Sequence, residues 1–160
     1  MNLEFKTTNT TLYEVILYDG DGKTVWKRKA APGTNLNSEF LSAGPNGIFN
    51  VNILNKGETD QYYYEFLNIW DVKDDDGKII TSINKAYPTG LDINENLHLY
   101  PRFKAHIQSY TISVKYKHPI TGIIKELKTG TYEYGTPLAA VVPSDKIPYV
   151  DRDGLSLTLY

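Results

Sequence analysis

Residues 61–70, Gln-Tyr-Tyr-Tyr-Glu-Phe-Leu-Asn-Ile-Trp, constrain this chain more than any other stretch. Side chains alternate across a sheet, so in an extended strand Tyr62, Tyr64 and Phe66 share one face while Tyr63 and Leu67 share the other. Three consecutive tyrosines cannot all enter one core. At least one ring must turn away, where it covers a sheet face or packs on a partner. The chain carries 13 tyrosines among its 160 residues, with abundant Thr, Val and Ile. That composition favours strands over helices. The expected class is mainly β, a β-rich α+β chain.

Residues 12–18 alternate as a first strand, and Asp19-Gly20-Asp21-Gly22 is a turn signal. The return strand over 23–29 places Val25 on one face and Thr24 and Trp26 on the other, and Pro32-Gly33 ends it. One short helix is predicted over 37–43. Asn37 or Ser38 caps it, Phe40 and Leu41 face inward, and Gly44-Pro45 stops it. Residues 48–54 set Phe49, Val51 and Ile53 against Ile48, Asn50, Asn52 and Leu54, which predicts a strand with one buried face. Beyond the aromatic stretch come an acidic turn over 71–77, a short strand over 78–83 and a loop marked by Pro88 and Gly90. A strand over 96–105 follows, with Leu97, Leu99 and Phe103 inward. Pro101 inside it suggests an edge or a bulge.

From residue 109 the pattern restarts. Tyr110-Thr111-Ile112-Ser113-Val114-Lys115-Tyr116 parallels Tyr13-Glu14-Val15-Ile16-Leu17-Tyr18. Thr121-Gly122-Ile123-Ile124 parallels Asp21-Gly22-Lys23-Thr24-Val25, and Gly135-Thr136 parallels Gly33-Thr34. Landmarks recurring in the same order, each about 100 residues on, mark an internal repeat. The expected organisation is an N-terminal arm over 1–11, a complete module over 12–105 and a partial second module over 106–160, which ends on a strand over 155–160.

This succession of strand, glycine turn, return strand, Gly-Thr, Tyr64-Glu65-Phe66 and Leu97-His98-Leu99-Tyr100-Pro101-Arg102-Phe103 resembles the internalin B-repeat, or Listeria–Bacteroides repeat. That family is a β-grasp-like module. The resemblance implies tandem β-grasp-like modules with one short helix, the second module incomplete. It departs from the family at Asn68, which holds a glycine position, and at Ile69, which holds a tryptophan position one residue ahead of Trp70. Asn tolerates a left-handed backbone better than most residues. Either Trp70 takes the core slot through a bulge or Ile69 fills it. Modules of this kind occur in bacterial surface proteins and phage structural proteins. The resemblance implies a spacer, adhesive or docking role and carries over no catalytic residues.

Chemistry is sparse. The formal net charge of -2, from 17 basic and 19 acidic residues, argues against nucleic acid, which needs a clustered basic surface. Lys27-Arg28-Lys29 is the only basic run, and as a strand it puts Lys27 and Lys29 on the solvent face. Without cysteine there is neither a disulfide nor a thiolate site. No apolar run reaches the ~20 residues of a membrane helix. The start at Met1 shows no secretory signal. Asp19–Asp21, Asp74–Asp76 and Asp151–Asp153 each precede a glycine. An EF-hand loop ending its turn on Gly22, Gly77 or Gly154 would need acids where Leu17, Val72, Tyr149, Arg28, Ile83 and Tyr160 stand. Asp-Gly turn chemistry is the preferred reading, with a weak surface calcium at Asp71, Asp74, Asp75 and Asp76 as the residual one. His98, His106 and His118 stand apart from one another. No nucleophile elbow or phosphate loop appears, and a paired-carboxylate site has nothing to point to it. No cofactor is expected.

The sequence therefore predicts a non-enzymatic structural or docking protein of a bacteriophage virion, of the capsid-decoration or head-fibre kind. Its expected partners are capsid or fibre subunits and further copies of itself, with glycan as an additional partner and neither nucleic acid nor membrane. The alternative is a ligand- or glycan-binding spacer or adhesin module on a bacterial cell surface; an enzyme accessory domain comes third. The candidate partner-binding residues are Leu3, Phe5, Tyr63, Trp70, Tyr132, Tyr134, Leu155, Leu157 and Leu159.

Overall fold

The chain is described here by a computed structural model over residues 11–142 and the backbone of 156–159. Alternation in Tyr-Glu-Val-Ile-Leu-Tyr builds β1 (Tyr13–Tyr18), with Val15 and Leu17 wholly buried. The turn at Asp19–Gly22 returns the chain as β2 (Thr24–Ala30), antiparallel to β1, with Trp26 and Ala30 on the buried face. Lys27 and Lys29 point to solvent, as the sequence predicts. Arg28 lies between them on the core side, its guanidinium over the Phe40 ring and donating to the Phe40 carbonyl at 2.8 Å.

After a short β3 (Thr34–Leu36), α1 (Ser38–Leu41) forms one turn. The Asn37 side chain caps it by accepting the Phe40 N–H at 2.9 Å. Such a helix depends on its buried Phe40 and Leu41, since an isolated turn is unstable. The remaining strands are β4 (Tyr62–Lys73), β5 (Ile79–Ile83), β6 (Leu91–Ile93) and β7 (Leu97–Ile107). They build a mixed five-stranded sheet in the order β2-β1-β7-β4-β5, with β1 parallel to β7, and a small antiparallel ladder of β3 with β6. Further on come β8 (Ser109–Lys117), β9 (Ile124–Glu133), the single-turn α2 (Leu138–Val141) and β10 (Ser156–Leu159), in a sheet of order β10-β8-β9. The protein is mainly β.

Three expectations are corrected or resolved. Residues 48–54 form no strand: the Asn50 side chain accepts the Asn52 N–H at 2.9 Å and starts a 3-10 turn over Val51–Ile53. A local side-chain acceptor has won over sheet pairing, leaving Phe49 buried but Ile48 and Ile53 exposed. Pro101 lies in a central strand, not an edge. The parallel register with β1 ends at Leu17 opposite Leu99, so the missing N–H falls just beyond the pairing that would need it. The core slot after Phe66 belongs to Trp70, which is 0% exposed and donates its indole N–H to the Ala86 carbonyl at 2.9 Å. Asn68 makes this possible. Its φ of 57° is the only positive value at a non-glycine position among the described residues.

Two compact units emerge, the first comprising Met1–Gly57 and Tyr64–Ala105, the second Glu58–Tyr63 and His106–Tyr160. The first has a continuous core in which Trp26, Phe40, Phe49, Phe66 and Trp70 pack edge to face around Val15, Leu17, Leu97 and Leu99. In the second, Val114 and Val141 are the buried apolar side chains among the described residues.

Candidate docking surface

The two units contain hairpins with matching turn chemistry. In the first, the Asp19 carboxylate accepts the N–H groups of Asp21 and Lys23 at 3.0 and 2.9 Å, and Gly22 takes φ +81°. In the second, His118 Nδ1 accepts the N–H groups of Ile120 and Thr121 at 3.2 and 3.1 Å, and Gly122 takes φ +70°. A Gly-Thr pair follows each return strand, Gly33-Thr34 after β2 and Gly135-Thr136 after β9. Thr34 donates through both N–H and hydroxyl to the Ala31 carbonyl, and Thr136 does the same to the Glu133 carbonyl.

What covers the two tips differs. Over the first tip passes the segment 55–57. The Gly20 N–H donates to the Asn55 carbonyl at 2.6 Å, the Gly57 N–H donates to the Asp21 carboxylate, and Lys56 Nζ donates to the Gly20 carbonyl. A Cβ on Gly20 would sit 2.5 Å from Lys56 Cβ, so glycine is required here for space. The second tip carries Ile120, Ile123 and Ile124, exposed by 77, 67 and 54%, and no segment crosses it among the described residues. Loop tips are ordinarily polar, so three exposed isoleucines make this tip a candidate contact surface.

The sequence-predicted contact residues divide. Leu3, Phe5 and Leu155 lie outside the described residues, as does the acidic turn Asp151–Asp153. Leu157 and Leu159 lie on β10, in register with Tyr116 and Val114 of β8. Tyr63 is exposed, with one face stacked on His106 at a centroid distance of 5.1 Å and an interplanar angle of 18°. Tyr134 is exposed at the end of β9. Tyr132 is half-buried and leans over Gly130, where a Cβ would meet its hydroxyl at 2.9 Å; its ring also receives Lys128 Nζ. Tyr110 stands across from Tyr132 and donates its hydroxyl to the Asp60 carbonyl at 2.5 Å. Trp70 is the correction: its ring is wholly in the core and offers a partner nothing. Ile120, Ile123 and Ile124 were missed. The signal was a turn that keeps its glycine but loses its acids and carries isoleucines at 120, 123 and 124.

The outer face of the first unit's sheet carries a network of paired polar side chains. Arg102 holds the Asp71 carboxylate, which also accepts from Ser82, and these bonds lower the Asp71 pKa below the ordinary carboxylate value. Asp75 accepts from His98 Nε2 at 2.8 Å and Asn96 at 2.9 Å, and its pKa is lowered chiefly by the His98 bond. Asp74 Oδ1 accepts the backbone N–H groups of Asp76 and Lys78, as Asp19 does in its own turn. The acidic run is thus turn and network chemistry, and among the described residues no group of three or more His, Asp or Glu is arranged to hold a metal. Tyr18 bonds His98 Nδ1 at 2.7 Å and stacks on Tyr100 at 4.3 Å. Hydroxyl, imidazole and carboxylate are connected like a nucleophile, base and orienting group. Burial, then Tyr100, push the Tyr18 pKa up to about 12, opposite to the activation a nucleophile needs. The chain acts as a polar pin across β1, β7 and the β4–β5 turn.

No family model, curated protein or solved structure matches the chain.

Proposed function

We propose that this is a non-enzymatic structural and docking protein whose first unit is a rigid β-grasp-like platform and whose second unit carries the contact surface. One observation carries the reading: the first unit closes a connected aromatic core, whereas the second, among the described residues, buries Val114 and Val141 and presents Ile107, Tyr110, Ile120, Ile123, Ile124, Tyr134 and Leu138 to solvent. Monomeric soluble domains rarely leave so much apolar side chain open without a partner.

The β-grasp-like assignment is supported by a hairpin, a helix, and a last strand inserted parallel to the first in the middle of the sheet. The shared turns and Gly-Thr endings support an internal repeat of the internalin B-repeat kind. Within that reading a phage virion is the preferred setting, as a capsid-decoration or head-fibre component meeting capsid or fibre subunits. The alternative is a bacterial surface adhesin that uses exposed tyrosines on a glycan. Tyr63 favours that alternative most, because one face of its ring remains open for stacking. Tyr18 and Tyr100 do not, since each ring already covers the other.

Mass spectrometry of purified virions decides between them. The protein is expected among the stoichiometric virion components. Its absence from virions, together with retention of the chain on a glycan array through Tyr63, would replace the first setting with the second.

A further inference from the structure

We infer that Asn46 is a site of covalent self-modification: the Gly47 nitrogen closes on the Asn46 side-chain amide and expels ammonia, and the change reaches the core through Trp26. Asn46-Gly47 is the only Asn-Gly pair in the chain. It lies in a turn bonded to β2, the end strand of its sheet. Pro45, Asn46, Gly47 and Ile48 are all exposed, so water reaches the amide. Glycine leaves the attacking nitrogen uncrowded, and even a Cβ built on Gly47 would meet no atom within 4 Å. The backbone N–H of Lys27 donates to Asn46 Oδ1 at 3.3 Å. Negative charge develops on that oxygen during attack, and a donor already placed there stabilises the tetrahedral intermediate. One bond opposes the step. Gly47 donates its N–H to the Gly44 carbonyl at 2.9 Å, so this bond must open before the nitrogen is free.

Solvent hydroxide takes the Gly47 amide proton, the nitrogen bonds to Asn46 Cγ, and the Cγ–Nδ2 bond breaks as Nδ2 takes a proton from water and leaves as ammonia. The product is a five-membered imide spanning residues 46 and 47. Water then opens it at either carbonyl. Cleavage of the new Cγ–N bond gives aspartate, and cleavage of the original backbone C–N bond gives isoaspartate. The two products differ in what they do to the core. Aspartate keeps the backbone length and an acceptor for the Lys27 N–H. Isoaspartate routes the backbone through the former side chain and adds one methylene ahead of Gly47. The Gly47 carbonyl accepts the indole N–H of Trp26 at 3.0 Å, and Trp26 is 1% exposed and packed edge to face on Phe40. Displacing that carbonyl leaves a buried donor unpaired. The surface turn thereby couples the age of the chain to the packing of its core, whether or not the protein docks on a partner.

The test incubates the folded wild-type chain for weeks in mildly alkaline buffer beside Asn46→Gln and Asn46→Asp, and follows each by peptide mass spectrometry and thermal melting. The wild type is expected to gain, at residue 46, the mass that exchanging an amide NH2 for OH brings, and to become a substrate for an isoaspartyl methyltransferase. Asn46→Gln, whose ring would need a further carbon, is expected to show no gain over the same period. The isoaspartate form, separated by chromatography, is expected to melt at least about 4 °C below the fresh chain, the shift that loss of one buried hydrogen bond produces in a unit of this size. Asn46→Asp is expected to melt close to the fresh chain. A folded wild type that stays unmodified at residue 46, or an Asn46→Gln that converts as fast as the wild type, overturns the site. An isoaspartate form as stable as Asn46→Asp overturns the link to Trp26.

Discussion

The hairpins over 13–30 and 109–133 share a side-chain-capped glycine turn and are each followed by a Gly-Thr pair, and they differ in what lies over them. The first is overlaid by segment 55–57 at its tip and by Trp70, Phe40 and Leu41 on its apolar face. The second keeps the turn, carries Ile120, Ile123 and Ile124 at a tip without acids, and among the described residues buries Val114 and Val141 where the first unit buries a connected aromatic core. Local turn chemistry is therefore enough to specify a hairpin. Whether that hairpin becomes a platform or a contact surface depends on the long-range segments available to cover it.

The largest test of this difference is truncation in each core. Trp70→Ala removes a fully buried ring and leaves the Ala86 carbonyl without its indole donor, so a loss of about 3–5 kcal/mol is expected in urea unfolding. Val114→Ala is expected to cost about 1–2 kcal/mol, because it deletes two methyl-sized groups from a thinly packed site. Equal losses would mean that the second unit has a core as cohesive as the first.

The tips provide a finer comparison. Gly20→Ala forces a Cβ against Lys56, the Asn55 carbonyl and Phe103, and is expected to cost about 1–3 kcal/mol while releasing segment 55–57 to proteolysis. Gly122→Ala meets no atom within 4 Å and is expected to cost only the left-handed backbone penalty of about 1–2 kcal/mol. If Gly20→Ala left 55–57 resistant to protease, the covering role of that segment would fail.

The smallest effects are electrostatic and belong to the first unit. Asp71 and Asp75 have pKa values lowered by their partners in the folded state. Their contribution is fully present above roughly pH 4 and is lost as pH falls through the folded values. Asp71→Asn with Asp75→Asn should flatten that acid limb slightly. At the other end, Tyr18 is raised to about 12, so its contribution holds below the ordinary tyrosine value of about 10 and disappears as pH climbs through 12. Ultraviolet titration should show a late tyrosinate step that Tyr18→Phe removes.

Much of the first unit was legible because its signals are local. Asp-Gly turns, period-two alternation around Val15 and Leu17, and the Asn37 cap each act within a few residues. The same holds for Asn68, whose tolerance of positive φ lets Trp70 reach the core. Residues 48–54 misled because strand alternation and an Asn-capped 3-10 turn compete over the same span, and tertiary context decides. The β3–β6 ladder escaped notice because it joins two three-residue segments far apart in sequence. At the candidate surface, Tyr63 and Tyr134 were legible as aromatics in excess of what one face can bury. The isoleucine tip was not, since two adjacent isoleucines after a glycine look like the start of a buried strand until exposure is known.

Native-state hydrogen exchange on the dilute chain tests the central difference most directly. Amides of β1, β4 and β7 within the first unit should exchange only through global unfolding, while those pairing β8 with β9 exchange through a lower-energy local opening. Raising the concentration until the chain associates should slow the β8–β9 amides and leave β1 and β7 unchanged. Equal protection of both hairpins in the dilute chain, unaltered by association, would contradict the division into a closed platform and an open contact unit.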